Sequence, residues 1–231
     1  LLAIVILENV IAGSTSRVLL WNLNTRQIVR EIKLGAFCYG LSFSADGRTL
    51  AVADFGRPSE ISLWRVADGS KVAGWQVGFA RISYLSVFAT TPDLSLAAAA
   101  TGTDRFSVVD LKTGRVLWSA IATDQGVSAL AFSPDGKILA SGAAFADSTI
   151  RLWDVASGRE LGRLEGHHGW VGELLFLPDG TRLVSASADQ TLRVWDVSTR
   201  TSVRTFRGHK TEVWRIALLP DQKTLVSGCK D

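Results

Sequence analysis

Methionine is absent from this sequence, and cysteine and proline are scarce, with two and five copies in 231 residues. Cys38 and Cys229 lie far apart, with no cysteine or histidine at metal-ligand spacing beside either one. A framework of several disulfides is therefore excluded, and the sequence leaves a single bridge open. Blocks of like charge are also missing, and a net charge of +3 provides no basic stripe of the kind that binds nucleic acid.

The sequence predicts neither a membrane span nor a signal peptide. The apolar run Leu1–Leu7 is shorter than the ~20 residues that span a bilayer, and it lacks the basic flank and the small-residue cleavage site of a secretory signal. We interpret this run as a buried strand. Because position 1 is not methionine, we expect the sequence to be a fragment or a processed piece of a longer protein.

Five apolar, alternating segments recur along the chain at a nearly constant distance. They end near Trp21, Trp64, Val109, Trp153 and Trp195, at separations of 43, 45, 44 and 42 residues. A second series keeps step with them and consists of the turn sequences SADG, TPDL, SPDG, LPDG and LPDQ, at Asp46, Asp93, Asp135, Asp179 and Asp221. Aspartate and glycine favour tight turns. Two series with one period indicate an internal repeat.

Each period resolves into four short apolar segments, separated by breaks that contain Gly, Pro, Asp or Ser. Between Val127 and Leu164 the segments read VSALAF, ILASGA, TIRLWDV and ELGRLE, which is the pattern of antiparallel strands and hairpins. A sheet that is apolar on both faces needs a neighbour on each side, and radial stacking of such sheets meets this need. The sequence therefore predicts an all-β fold, a β-propeller of four-stranded antiparallel blades.

The repeat covers the whole chain without a linker between domains. We predict four complete blades and a partial blade at each end, with the boundaries 1–33, 34–77, 78–122, 123–165, 166–207 and 208–231. Both ends contribute a second strand, so joining them into one shared blade would leave a strand surplus. We therefore favour an open arc of a larger ring, and a closed five-blade ring is the alternative.

The dipeptides Trp153-Asp154 and Trp195-Asp196, with Gly-His pairs ahead of a strand at 166–167 and 208–209, resemble the WD-repeat family. The resemblance covers essentially the whole chain and is strongest in the repeat from His167 to Arg207. It implies a propeller, most often of seven blades, with a hydrogen-bond network inside each blade. The Ala-rich strands and SPDG turns resemble the bacterial members of this family.

In this family the network joins four residues, and its positions here would be His167, Ser187, Asp189 and Trp195. Asp189 would hold one side of the imidazole, and Ser187 would link the other side to the indole N–H of the tryptophan. Burying these groups is tolerable only if each of them is paired. We therefore expect the network to make the blade rigid.

The following repeat carries a second copy of the same pattern. His209 and Asp231 repeat the 22-residue spacing of His167 and Asp189, and Cys229 stands in the serine position. The resemblance implies that this histidine also holds an entering loop against its own blade.

Serine, histidine and aspartate also form nucleophilic triads, but Ser187 lies inside a predicted strand and no G-x-S-x-G elbow occurs. His167 and His168 would point in opposite directions on an extended backbone, which disfavours a metal site. Glycine-rich phosphate loops are absent. The sequence therefore predicts a protein that is not an enzyme and that binds neither a metal nor a cofactor.

Unusual side chains stand where the fourth strand of one blade would lead into the next, at the predicted rim of the propeller. They are His168, Trp170, Lys210, Glu212 and Trp214. Large aromatics beside charges are typical of interaction hot spots, and the alternative is that the two tryptophans only seal the blade entry. A second candidate surface lies around Phe55, Arg57 and Phe145, in two inserted loops.

We predict a cytoplasmic, non-catalytic scaffold that presents its rim to a peptide or protein partner, because a preorganised surface loses little entropy on binding. Nucleic acid and membrane are not among the expected partners. One alternative arises from VVDLKTGRVLWSA, which is similar to the tryptophan-docking stretch of quinoprotein propellers and would imply a cofactor or small ligand. Two others are a regulatory or sensor domain of a larger bacterial protein and a spacer whose role is shape alone.

Overall fold

The computed structural model describes residues 2–8, 15–54, 59–76, 87–100, 104–122, 126–144 and 147–229, with side chains for all of these except 2–8 and 15. Within these ranges the regular elements are β-strands, with no helix. This confirms the all-β prediction. Short apolar segments between turn sequences satisfy their backbone groups by pairing with the next segment along the chain.

The strands form six antiparallel sheets, and in each sheet consecutive strands pair with one another. Sheet I contains β1 (Leu2–Glu8), β2 (Thr15–Asn22) and β3 (Gln27–Leu34). Sheet II contains β4 (Cys38–Phe43), β5 (Thr49–Asp54), β6 (Glu60–Arg65) and β7 (Lys71–Gln76). Sheet III contains β8 (Phe88–Thr90), β9 (Leu96–Ala100), β10 (Arg105–Asp110) and β11 (Val116–Ile121). Sheet IV contains β12 (Val127–Phe132), β13 (Ile138–Ala143), β14 (Ile150–Asp154) and β15 (Glu160–Leu164). Sheet V contains β16 (Val171–Phe176), β17 (Arg182–Ser187), β18 (Leu192–Asp196) and β19 (Thr201–Phe206), and sheet VI contains β20 (Val213–Leu218) and β21 (Leu225–Cys229).

Sheets II to V each have four strands, which confirms the prediction of four-stranded antiparallel blades. Within the described residues, sheet I has three strands and sheet VI has two. The blade boundaries, the closure of the ring and the number of its blades stay predictions.

The aspartate turns lie between the first and second strands of the sheets. In sheet IV, Asp135 Oδ1 accepts hydrogen bonds from Ser133 Oγ at 2.7 Å and from the Lys137 N–H at 3.1 Å. Gly136 adopts a φ of 69°, a conformation that glycine reaches without a steric penalty. Leu94 occupies the same turn position in sheet III with a φ of 55°, so the turn persists there without a glycine.

Each pair of neighbouring sheets encloses its own hydrophobic cluster. Between sheets III and IV, Phe106 and Val108 pack with Leu139 and Trp153, and the rings of Phe106 and Trp153 meet edge to face with centroids 5.5 Å apart. Four further clusters fill the interfaces I–II, II–III, IV–V and V–VI. The sheets therefore stack face to face, as sheets that are apolar on both faces require.

The first strand of four sheets carries a β-bulge at the same place, shortly after the chain enters the sheet. The register with the second strand shifts at this point in sheets II, IV, V and VI. The residues skipped by the ladder are Tyr39, Ser128, Gly172 and Trp214. A bulge redirects a side chain and ends regular pairing locally, so each of these sheets presents one residue outside its ladder.

The outermost strands contact the following sheet at a turn glycine. Trp118 of β11 covers Gly158 in the turn between β14 and β15, and its indole N–H donates to Val155 O at 2.8 Å. Trp75 of β7 covers Gly114 in the corresponding turn of sheet III. Trp118 belongs to the stretch that resembles a quinoprotein docking sequence, and its contacts join sheets III and IV.

Candidate functional site

A hydrogen-bond network in sheet V joins the loop before β16 to strands β17 and β18. His167 in this loop places Nδ1 2.7 Å from Asp189 Oδ2 and Nε2 2.6 Å from Ser185 Oγ. The indole N–H of Trp195 donates to the same Ser185 Oγ at 2.8 Å. The His168 N–H also donates to Asp189 Oδ2, at 3.1 Å. The loop is thereby held against its own sheet.

The serine of this network is Ser185, so the prediction of Ser187 was wrong. Trp195 lies opposite Leu183 in the register of β17 and β18. Two residues along a strand span about 7 Å and four span about 13 Å, so the indole reaches Ser185 and falls short of Ser187. Ser187 Oγ donates instead to Gly169 O at 2.8 Å, which ties it to the loop and not to the imidazole.

Sheet IV repeats the serine–tryptophan part of this arrangement. The indole N–H of Trp153 donates to Ser141 Oγ at 2.8 Å. Ser141 again lies two residues along the strand from Leu139, the register partner of Trp153. Strand register therefore determines which serine meets the tryptophan, and this register is not visible in residue spacing along the chain.

One arrangement of protons satisfies every polar atom of the network. The imidazole donates from Nδ1 to the carboxylate of Asp189, while the hydroxyl of Ser185 donates to Nε2 and accepts from Trp195. This is the connectivity of a nucleophilic triad, but Ser185 is fully buried between sheets. A nucleophile must meet its substrate, so the arrangement suits a structural clip.

Burial lowers the pKa of His167, against the opposing effects of the hydrogen bond and the charge of Asp189. For Asp189, burial raises the pKa, but hydrogen bonds from Thr191 and His167 outweigh it and bring the pKa to about 2. At neutral pH the network therefore consists of a neutral imidazole beside a carboxylate.

The free energy of unfolding is expected to fall as the pH drops below about 6.5, the ordinary pKa of histidine. Because His167 has a lowered pKa in the folded chain, the unfolded chain takes up this proton first and is favoured by acid. Asp189 acts in the same direction at lower pH, down to its folded pKa of about 2. Each unit by which the pKa of His167 is lowered corresponds to about 1.4 kcal/mol.

An NMR titration of the His167 imidazole measures this effect directly, and it should give a pKa below the ordinary value of 6.5. In Asp189→Asn the pKa should be lower still, because burial then acts without the opposing carboxylate charge. An increase of the His167 pKa in this variant would contradict the arrangement of the network.

A second histidine in sheet VI repeats part of the network. His209 places Nε2 2.8 Å from Ser227 Oγ and Nδ1 2.9 Å from Cys229 Sγ. Ser227 thus holds the place of the network serine, and the predicted partner Asp231 lies outside the described residues. Cys38 and Cys229 form no disulfide in the part of the chain that the structure describes, and burial raises the pKa of Cys38 to about 12.

The two tryptophans predicted at the rim are in contact. Trp170 precedes β16 and Trp214 is the bulged residue of β20, and their rings meet edge to face with centroids 4.6 Å apart. Trp214 is 38% exposed, and Trp170 is half-buried. Gly172, the bulged residue of β16, makes room for the pair, because a Cβ at this position would lie 3.2 Å from Trp170 Cζ3. The pair bridges sheets V and VI and leaves aromatic surface exposed.

Three charged or polar residues were predicted beside these tryptophans. His168 and Lys210 are exposed and Glu212 is half-buried, and within the described ranges no hydrogen bond or ion pair joins their side chains.

Glu173 was not predicted, although an acid inside an apolar strand is a visible signal. Its carboxylate accepts the Ile216 N–H at 2.6 Å, and burial raises its pKa while this hydrogen bond lowers it. Glu173 therefore links β16 to β20, and the two linked residues lie within three positions of Trp170 and Trp214 along the chain.

The second predicted surface, at Phe55, Arg57 and Phe145, lies outside the described residues. In the part of the chain that the structure describes, no group of three or more His, Cys, Asp and Glu side chains could hold a metal ion. No helix in that part is long and apolar enough to cross a membrane. The rim at Trp170 and Trp214 is therefore the predicted surface whose geometry is visible.

Three stretches of the chain, 115–154, 158–196 and 200–231, match the family described as WD domain, G-beta repeat. The chain is 32% identical to WD repeat and SOCS box-containing protein 1 of Homo sapiens over an aligned stretch of 124 residues. This stretch is 53% of this chain and 29% of that protein. It is 30% identical to Nuclear distribution protein nudF of Aspergillus niger over an aligned stretch of 177 residues. This second stretch is 76% of this chain and 33% of that protein.

A shorter stretch of 51 residues is 53% identical to the protein named Probable serine/threonine-protein kinase PkwA of Thermomonospora curvata, covering 22% of this chain and 7% of that protein. The chain thus spans less than half the length of each of these relatives. The repeat period, the four-stranded sheets and the Trp-Asp dipeptides at the ends of β14 and β18 agree with the family match. The chain belongs to the WD-repeat family.

Proposed function

We propose that this chain is a rigid, non-catalytic platform that binds a peptide or protein partner at the rim formed by Trp170 and Trp214. Members of the WD-repeat family generally act as protein-interaction scaffolds and are generally non-catalytic. The proposed location is the cytoplasm.

The contact between Trp170 and Trp214 is the observation that carries this proposal. Tryptophan is enriched among the few residues that dominate the binding energy of protein interfaces, and a 38% exposed indole offers a partner a large apolar contact. The two rings come from different sheets and support one another at 4.6 Å. If the two tryptophans only sealed the entry of one blade, neither an exposed ring nor a contact between two sheets would be required.

The loop that carries Trp170 is held in place before any partner arrives. The Ala188 N–H donates to Trp170 O at 2.9 Å, and Ser187 Oγ donates to Gly169 O at 2.8 Å. The buried His167 anchors the beginning of the same loop. A loop that is already ordered adds little entropy cost to binding, which favours a binding surface over a mobile lid.

Trp214→Ala is expected to weaken partner binding at least tenfold, or by about 1.4 kcal/mol, because an exposed aromatic anchor is lost. The probe is a peptide selected from a displayed random library against the wild-type chain. Its dissociation constant is measured by fluorescence anisotropy for the wild type and the variant.

Val72→Ala provides the matched control, since Val72 is a 54% exposed apolar residue on the outer strand β7. This variant should bind the selected peptide as the wild type does. Equal affinities of the Trp214→Ala and Val72→Ala variants would move the binding surface away from the rim, and a library without any binder would contradict the platform itself.

A regulatory role inside a larger protein is the second candidate. The similarity to a protein named as a serine/threonine kinase, of which this chain covers 7%, favours this candidate. On this proposal the blades would bind a segment of the same polypeptide, and joining the two in one chain would raise the effective concentration of that segment.

A further inference from the structure

Arg151 and Arg193 occupy matching positions in neighbouring sheets, each two residues before the tryptophan of the third strand. Arg151 lies beside two carboxylates, one of which, Glu160, is shared with Arg163 at 2.7 Å. Its Nη2 lies 3.5 Å from Asp147 Oδ2 and its Nη1 lies 3.4 Å from Glu160 Oε2. A half-buried guanidinium is stable in this setting because both acids lie within ion-pair distance.

Arg193 makes neither of the two corresponding ion pairs in sheet V. The position that matches the first acid is Asp189, whose carboxylate is engaged with His167 at 2.7 Å and with the Thr191 hydroxyl at 2.6 Å. The position that matches the second acid is Ser202, which lies opposite the tryptophan of β18 in the register with β19. Within the described residues, no ion pair involves Arg193. The acid at the first matching position thus pairs with the arginine in sheet IV and contacts a histidine in sheet V.

The guanidinium of Arg193 is nevertheless held in one place. Its Cζ lies 5.7 Å from the ring centroid of Trp195, within the range of a cation–π contact. On another side it lies against the backbone of Gly166, where a Cβ would be 2.9 Å from Nη1. Its Nε is buried without a hydrogen-bond partner among the described residues, as is that of Arg151, so the two arginines differ in their carboxylate partners and not at this atom. A positioned, half-buried cation with no carboxylate in ion-pair distance among the described residues favours an incoming anion.

The surrounding segment is also basic. Residues 193–210 contain five arginine or lysine residues and one acid, so their surplus of four positive charges exceeds the +3 of the whole chain. Arg193 lies opposite Thr205 of β19. The other four basic residues are exposed, and they are Arg200, Arg204, Arg207 and Lys210. A local excess of one sign of charge attracts and orients an oppositely charged partner.

We propose that Arg193 is the recognition site for an anionic side chain of the peptide partner, a carboxylate or a phosphorylated hydroxyl. This inference rests on the proposed platform function, since it names the chemistry of what the platform binds. The planar guanidinium can donate a bidentate pair of hydrogen bonds to either anion, and the four exposed basic residues of segment 200–210 attract acidic segments at longer range.

The test uses one displayed library of random peptides, selected in parallel against the wild type and against Arg193→Met. Methionine keeps an apolar stem against Trp195 and removes the charge. Peptides selected by the wild type should share an acidic residue at one position, and this preference should disappear with the variant. A wild-type peptide is then synthesised with glutamate, phosphoserine or glutamine at that position. The charged forms should bind at least tenfold more tightly than the glutamine form, and the tighter of the two identifies the source of the anion.

Arg48→Met is the matched control, because it removes one positive charge from an 86% exposed side chain in another sheet. It should retain the acidic preference. Equal loss in the Arg48→Met and Arg193→Met variants would reduce the effect to general charge and overturn the inference. Selected peptides without an acidic preference would overturn it while leaving the platform function intact, whereas a library without binders would contradict both.

A second measurement separates recognition from folding. The charge of Arg193 lowers the pKa of His167, so an anion bound at the guanidinium should raise that pKa in an NMR titration of the wild-type chain with the glutamate peptide. The glutamine peptide should leave it unchanged. An unchanged His167 pKa with bound glutamate peptide would place the anion elsewhere and overturn the inference.

Discussion

Replacement of Ser185 by alanine is expected to lower the free energy of unfolding by about 2–4 kcal/mol, because two buried groups each lose their partner at about 1–3 kcal/mol. The Ser185 hydroxyl contacts His167 Nε2 at 2.6 Å and the indole N–H of Trp195 at 2.8 Å. All three side chains are buried, so water does not replace the missing hydroxyl. Urea denaturation followed by tryptophan fluorescence measures the change.

Ser141→Ala is the control for this experiment. Ser141 serves one tryptophan, Trp153 at 2.8 Å, so its loss orphans one indole N–H and should cost about half as much as the loss of Ser185. Ser187→Ala tests the corrected position. A large loss for Ser187→Ala with none for Ser185→Ala would restore the serine that the family resemblance implied.

Gly158→Ala should lower the free energy of unfolding by about 2–4 kcal/mol, because overpacking of about 1–3 kcal/mol adds to a backbone strain of about 1 kcal/mol. Gly158 adopts a φ of 70°, and a Cβ there would lie 2.8 Å from Trp118 Cδ2. The substitution therefore strains the turn and displaces the indole, which also loses its hydrogen bond to Val155 O. The unfolding midpoint in urea is the measurement.

Gly47→Ala separates the two effects. Gly47 has a similar φ of 68° but no atom within 4 Å of an added Cβ, so its substitution should cost only the strain of about 1 kcal/mol. In a Trp118→Ala background the cost of Gly158→Ala should fall to this value, since the two residues are in contact and their effects are coupled. Equal costs at Gly47 and Gly158 would show that the tryptophan contact contributes nothing.

The repeat period predicts the architecture because turn chemistry and strand pattern are local properties of the chain. Asp135 and Gly136 form their turn from neighbouring atoms, and the alternating segments determine where strands begin and end. Sheet stacking follows as well, since strands that are apolar on both faces need a neighbour on each side.

The details of the site depend on register, which spacing along the chain does not reveal. Ser185 and Ser187 are alike in residue type and in burial, and only the pairing of Trp195 with Leu183 distinguishes them. The bulge that brings Trp214 against Trp170 shifts the ladder by one residue, and no residue type marks its position. The isolation of Arg193 is visible only when two sheets are compared pair by pair.

The recurring bulge also bears on how such a protein changes over generations. The residues at this position are as different as Tyr39, Ser128, Gly172 and Trp214, yet the ladders on either side of them keep the same pattern. Because the bulged residue belongs to no ladder pair, its replacement leaves the strand register intact, and at the exposed Trp214 such a change alters the surface alone. At the buried Ser128 and Gly172 the same position serves contacts between neighbouring sheets. One recurring irregularity of the backbone can therefore be used by evolution for surface variation in one repeat and for packing in another.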